Sequence, residues 1–301
     1  NLSALDASQI GSLSTTQVTG LTTTQLSNLT TTDISEFSST QVGRLSAVQI
    51  AALSTTNFSA LDATQMSGLT TTQVSGLSTT VVSSLNETDI SELSTTQLGA
   101  LSATQVGSLT STAFSALDAT QIGSMSITQL RGLTTTQING LSTSDVNEFT
   151  STQIGSLATT QLGAFSTTNI NTLDTTQLGG LTSTQLGRLS NTNLGALDST
   201  QIQSLTTTQI GGLATTQISA LNTTNVNEFA DTQLASFSAT QLAALSVTNF
   251  SALDATQVGG LTTTQISGLS TTVLRGLNET DVAEFSTTQL GALSSTQIGS
   301  L

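Results

Sequence analysis

A large apolar residue recurs every eighth position from Leu5 to Leu301 without one insertion or deletion, dividing the chain into 37 octads. The octad Leu13-Ser14-Thr15-Thr16-Gln17-Val18-Thr19-Gly20, closed by Leu21, stands for all of them, with Phe37, Met125 or Phe285 sometimes in the Leu place. Eight residues hold two large apolar side chains, too few to make a core. An octad is therefore stable only when stacked on its own copies, as in other solenoids.

The spacing inside the octad predicts what the copies are. With Ser14 as helix N-cap, Gln17 falls at the third helical position (N3), where its side chain reaches back to the cap amide while the Ser hydroxyl accepts from the N3 amide. Leu13 and Val18 then take the places of a hydrophobic staple, before the cap and at N4. Substitutions along the chain respect this frame. The cap position takes Ser, Thr, Asp (Asp6, Asp62, Asp118, Asp174, Asp198, Asp254) or Asn (Asn86, Asn278), with Ala158, Ala214 and Ala230 as exceptions. At N3, Gln gives way mostly to Asp33, Asp89, Asp145 and Asp281 or to Asn57, Asn169, Asn193, Asn225 and Asn249, while Val81, Val273 and Ala113 break the box. Two mostly small residues follow N4, which lets successive short helices touch backbone to backbone.

The fold class expected is thus all-α: a solenoid of very short capped helices, one per octad. A continuous helix fails, because an apolar period of eight over two turns is 4.0 per turn, away from about 3.6. A β-solenoid is the alternative, since Thr, Val and Ile favour strands. Against it, the apolar residues lie three or five positions apart and never two, as a pleated face requires.

A longer copying pattern overlies the octads. Asp6, Asp62, Asp118 and Asp174 are 56 residues apart, as are Glu36, Glu92 and Glu148, and Leu77–Leu93 returns as Leu269–Phe285 after 192 residues. Blocks of seven and 24 octads, with ten between Glu148 and Glu228, share no common factor. The single octad is therefore the structural unit, and residues 1–301 read as one continuous array, expected to be a piece of a longer one.

Composition narrows the chemistry. The chain has no Cys, Pro, Trp, Tyr or His, four Arg as its only cations, and a net charge of −14. The usual nucleophile and base pairs need His, Cys or Lys, so no catalytic residue and no cofactor are assigned. An acidic chain cannot neutralise a phosphate backbone, which disfavours nucleic acid, and no apolar run is long enough to insert into a membrane. With no side chain titrating near neutrality, stability is expected to be flat between about pH 6 and 9. The acidic clusters Glu87, Asp89, Glu92 and their copies Glu279, Asp281, Glu284 offer hard oxygen ligands for Ca²⁺, but without the spacing or Gly turn of a Ca²⁺ loop. Capping, helix-dipole and solubility roles account for them more simply.

The motif Leu-Ser/Thr-x-x-Gln-Val/Ile-x-x, as in Leu13 to Gly20, resembles the octapeptide arrays of very large bacterial secreted or cell-surface, adhesin-like proteins, and the resemblance covers the whole chain. It implies an extracellular setting and a structural role. Over Leu13 to Val18 the motif also resembles the start of the DNA-binding repeats of transcription activator-like effectors, but it lacks their base-reading loop. Small, nearly uncharged surfaces are expected to self-associate end to end or laterally into a filament, sheath or adhesin shaft. The competing expectation is that the Thr/Ser face binds carbohydrate or ice. Position by position the hydroxyls are read as varying freely with Ala, Ser and Asn, which argues against a flat binding plane. Asn86-Glu87-Thr88 and Asn278-Glu279-Thr280 fit an N-glycosylation pattern, and the hydroxyl-rich surface suits O-glycosylation.

Overall fold

The computed structural model describes residues 2–301. After a 3₁₀ turn at Leu2–Ala4, the chain forms 37 α-helices of four to six residues, from Ala7–Ser12 to Ser295–Ile298, and no strand occurs among the described residues. The fold is an all-α solenoid and not a β-solenoid. The coordinates divide into two compact units, Asn1–Phe149 and Thr150–Leu301.

The predicted caps are present. In helix Thr15–Thr19 the Gln17 amide donates to Ser14 Oγ at 3.3 Å, and the Ser14 amide donates to Gln17 Oε1 at 2.8 Å. Each cap residue is extended, as Ser14 is at φ −66°, ψ 155°, so every helix starts afresh after a sharp bend. At Ala158, Ala214 and Ala230 only half the device survives: the cap amide still donates to Gln161, Gln217 or Gln233, but there is no side-chain acceptor. Asn57, Asn169, Asn193 and Asn249 sit at N3 without closing a box, although Asp33 and Asn225, no longer, close theirs; Asn57, Asn193 and Asn249 instead turn Nδ2 to the Leu29, Phe165 and Leu221 carbonyls one turn back.

In both units a helix packs on the helix three octads further along. Helix Ser39–Val42 meets Ala63–Ser67, and Ser183–Leu186 meets Thr207–Gly211. One solenoid turn is therefore three octads. Except in the last octads, where Leu277, Val282 and Leu290 are half-buried and Ile298 and Leu301 are exposed, the N4 side chains and the Leu/Phe of the octads form the core; Val74, Leu98, Ile210 and Leu242 are fully buried. Leu5, Leu13 and Leu21, in the first turn, are half-buried.

The small residues before each Leu act between turns, not between consecutive helices as expected from sequence. A Cβ on Gly132 would collide with the Ala103 carbonyl, and one on Gly212 with the Ser183 carbonyl. In each case the last residue of an octad lies against N1 of the helix one turn back. Consecutive helices are held apart by the extended cap between them, so only the stacked turn comes close enough to need a missing side chain.

Candidate functional site

The most specific chemistry in the array lies on the seam between turns, and the N3 residue builds it. Gln73 is buried, and its two amide atoms do different work. Oε1 accepts from the Thr70 amide at 2.6 Å, closing its own box. Nε2 donates to the Val42 carbonyl at 2.8 Å and the Leu45 carbonyl at 2.6 Å, both one turn back. The last carbonyls of a helix have no partner within it, and here the next turn supplies one. The same pair of long-range bonds recurs in both units, as from Gln97 to Met66 and Leu69 and from Gln209 to Leu178 and Leu181. Gln17 lies in the first turn, exposed, and closes its box alone.

This second role was not read from sequence, although a signal for it exists. No octad has Glu at N3. A capping box alone accepts Glu as well as Gln, and the helix dipole favours Glu. A position that always refuses it is using the amide as a donor.

Asp at N3 has no such donor, and a compensation follows. Asp89 Oδ2 accepts from the Asn86 amide at 3.0 Å and from the Ser59 hydroxyl at 2.7 Å, thirty residues earlier and one turn back. Asp281 repeats this with Asn278 and Ser251. At Asp33 the Thr30 amide lowers the carboxyl pKa most, opposed by burial and aided by the Ser3 hydroxyl. Asn57 keeps one inter-turn bond, Nδ2 to the Leu29 carbonyl at 2.7 Å.

The cation candidates are thereby placed. Asp89 and Asp281 are buried with Oδ2 of each taken by two chain donors, Glu87 and Glu279 are exposed at N1, and Glu92 and Glu284 are half-buried at helix C-caps. Among the described residues no three acidic groups gather in a way that could hold a metal ion. No helix is long and apolar enough to cross a membrane. A surface depression of about 370 Å³ lies in a groove between turns of the first unit, where Glu87, Ser111, Thr112, Gly140 and Asp145 meet, and one of about 430 Å³ lies in the second unit, where Ser183, Gly187, Arg188 and Gly212 meet.

The expectation that the hydroxyls vary freely position by position is right for N1 and wrong for N2. N1 varies among Thr, Ser, Ala, Glu, Ile, Val, Asn and Asp, whereas N2 is Thr in 34 of 37 octads, the exceptions being Ser8, Val48 and Ser144. These Thr side chains are exposed, and among the described residues only Thr112 uses its hydroxyl within the chain, 3.1 Å from Thr110. Neither the caps nor the core explains a Thr there.

Residues 124–159 and 155–191 match the family model of the ALTTAQ repeat. The six letters of that description fall on Gly132-Leu133-Thr134-Thr135-Thr136-Gln137, with Gly at the first Ala and the N2 Thr at the second. No curated protein matches the chain. The matched segment shows what the chain is similar to: a repeat protein built on this short motif.

Proposed function

We propose that the chain is a structural protein, the shaft or a subunit of an extracellular bacterial filament, sheath or adhesin, without enzymatic activity. What supports this reading is a seam repeated within both units, where a buried N3 Gln ties most turns to the one before, in a sequence that keeps its period over 37 octads without a break. Such a body is a spacer or strut. The extracellular setting rests on the likeness to octapeptide arrays of large bacterial surface proteins, and partners are further copies, end to end or side by side. Electron microscopy and sedimentation of the purified chain over a range of concentrations test it. Rods that lengthen or bundle with concentration are expected; particles that stay monomeric throughout would overturn self-assembly.

The near-invariant N2 Thr favours a second reading, a hydroxyl face that binds carbohydrate or ice. Thr16, Thr40 and Thr64 lie on helices stacked turn upon turn, so N2 hydroxyls run in columns along the unit. Thr16→Ala, Thr40→Ala and Thr64→Ala together remove one column from exposed positions. Under this reading they abolish glycan retention or inhibition of ice recrystallisation with helicity unchanged. A strut tolerates them.

A further inference from the structure

The array has a set of carboxyl groups that capping leaves unexplained. Glu closes the octads of Asp33, Asp89, Asp145, Asn225 and Asp281, as Glu36, Glu92, Glu148, Glu228 and Glu284. Each has an Asp thirty residues earlier: Asp6, Asp62, Asp118, Asp198 and Asp254. Since the last residue of an octad lies against N1 of the helix one turn back, each Glu is brought beside an Asp-capped helix start. N1 there is small, as Ala63 and Ala255 are, leaving room for the longer side chain. The Oε2 atoms of Glu36, Glu92, Glu148 and Glu228 are buried with no hydrogen-bond partner. Asp62 spends Oδ1 on the Gln65 amide at 2.8 Å, and Asp254 spends its own on Gln257 at 2.8 Å, which leaves Oδ2 of each as an acceptor.

We propose that Glu92, Glu148, Glu228 and Glu284 with Asp62, Asp118, Asp198 and Asp254 are proton-operated clasps between turns, so that acidification tightens the array. At Glu92, Glu148 and Glu228 a buried carboxylate oxygen without a donor is costly, and at all four sites, Glu284 included, two carboxylates side by side repel. A proton on Glu turns that oxygen into a donor for the free Asp oxygen, replacing repulsion by a hydrogen bond. Proton affinity of the Glu carboxyls points the same way. Burial pushes Glu92, Glu148, Glu228 and Glu284 above the ordinary range. The previous turn's Asp adds to this for all four, and Asp89, Asp145 and Asp281 on the same helices add to it for Glu92, Glu148 and Glu284. For Glu228 a hydrogen bond from Asn225 pulls the other way by more than Asp198 adds, and burial still decides the direction. Glu87 and Glu279 lie at the far ends of their helices, and the helices Ser111–Ser115 and Val247–Phe250, which pack on those preceding Glu92 and Glu228, carry no ionisable side chain. A carboxyl raised in the folded state destabilises it while ionised, and that penalty is relieved as pH falls through the folded pKa.

The test is the thermal midpoint of the whole chain between pH 7.5 and 5, with two charge-matched double variants. The wild type is expected to gain on the order of 5 °C on acidification. Glu92→Gln with Glu284→Gln is expected to raise the midpoint at pH 7.5 and flatten the profile, whereas Glu87→Gln with Glu279→Gln leaves the acid gain in place. This separates the clasps from general relief of negative charge, which both variants share. A wild-type midpoint that is level or falls on acidification overturns the proposal, as does an unaltered profile in the first variant. Should that variant misfold, a carbon-13 titration of the wild-type Glu carboxyls decides: Glu92 and Glu284 titrating at or below about 4.3 overturns it, and above supports it.

Discussion

The Gln73 side chain is held by four hydrogen bonds, from the Thr70 amide and hydroxyl within its octad and to two carbonyls of the turn before. Gln73→Ala removes all four and leaves the Thr70 amide and the buried Leu45 carbonyl without a partner, while the Val42 carbonyl keeps only the Leu45 amide, at a cost of roughly 3 kcal/mol. Gln17→Ala removes only a box at an exposed site and costs about 1 kcal/mol. Urea titration of the two variants measures the gap, and equal losses would mean that the seam contributes nothing. Gln73→Glu should be nearly as harmful as Ala, because its carboxylate faces two carbonyls. Conversely, Ser59→Ala should weaken the fold by about 1–2 kcal/mol, since the buried Asp89 carboxylate loses its donor on the preceding turn. Gln17 was legible in sequence as a capping residue because a box spans four consecutive positions. The inter-turn role was not, because its partners lie 28 to 31 residues away, a distance that no local pattern encodes.

At the scale of the helix, four to six residues are far below the length at which a helix persists alone in water, so cap and contact decide everything. Ala158→Ser adds the missing acceptor to an otherwise complete box and should stabilise by about 1 kcal/mol. Gly132 and Gly259 behave oppositely, and the place within the octad does not decide it, since Gly107 and Gly187, at the same place as Gly259, also meet a carbonyl of the neighbouring turn. Gly132→Ala drives a methyl into the Ala103 carbonyl and should cost about 1–3 kcal/mol. Gly259, inside helix Ala255–Gly260, has nothing within 4 Å of an added Cβ, so Gly259→Ala should gain about 0.5–1 kcal/mol. Denaturant midpoints of both variants check the contrast. The sequence showed both positions as small and could not rank them, because the ranking depends on which one meets the neighbouring turn.

Within each unit the helices make their contact three octads on, so any whole number of octads can be added or removed in register. That is why blocks of seven, ten and 24 octads coexist in one chain. Deleting residues 205–212 should leave helicity and cooperative melting intact by circular dichroism. Deleting 205–208 removes half an octad, destroys one cap and shifts the period; it should split or broaden the transition. Above about pH 7.5 stability should be level, since no Lys, His, Cys or Tyr side chain is present to titrate. The expectation of flatness holds on that side only. The raised carboxyls of Glu92, Glu148, Glu228 and Glu284 put a slope on the acid side, with stability rising as pH falls toward them.

The octad by itself determined helix start, helix length and which two side chains are buried, because caps, staple positions and period all act within eight residues. It also determined that each unit must stack. Three octads to the turn, the doubled duty of Gln73, the Ser59–Asp89 bond and the meeting of Glu92 with the turn that carries Asp62 were decided only by the tertiary structure. The angle at each extended cap sets how many octads close a turn, and small differences in that angle, summed over three bends, choose which residues meet.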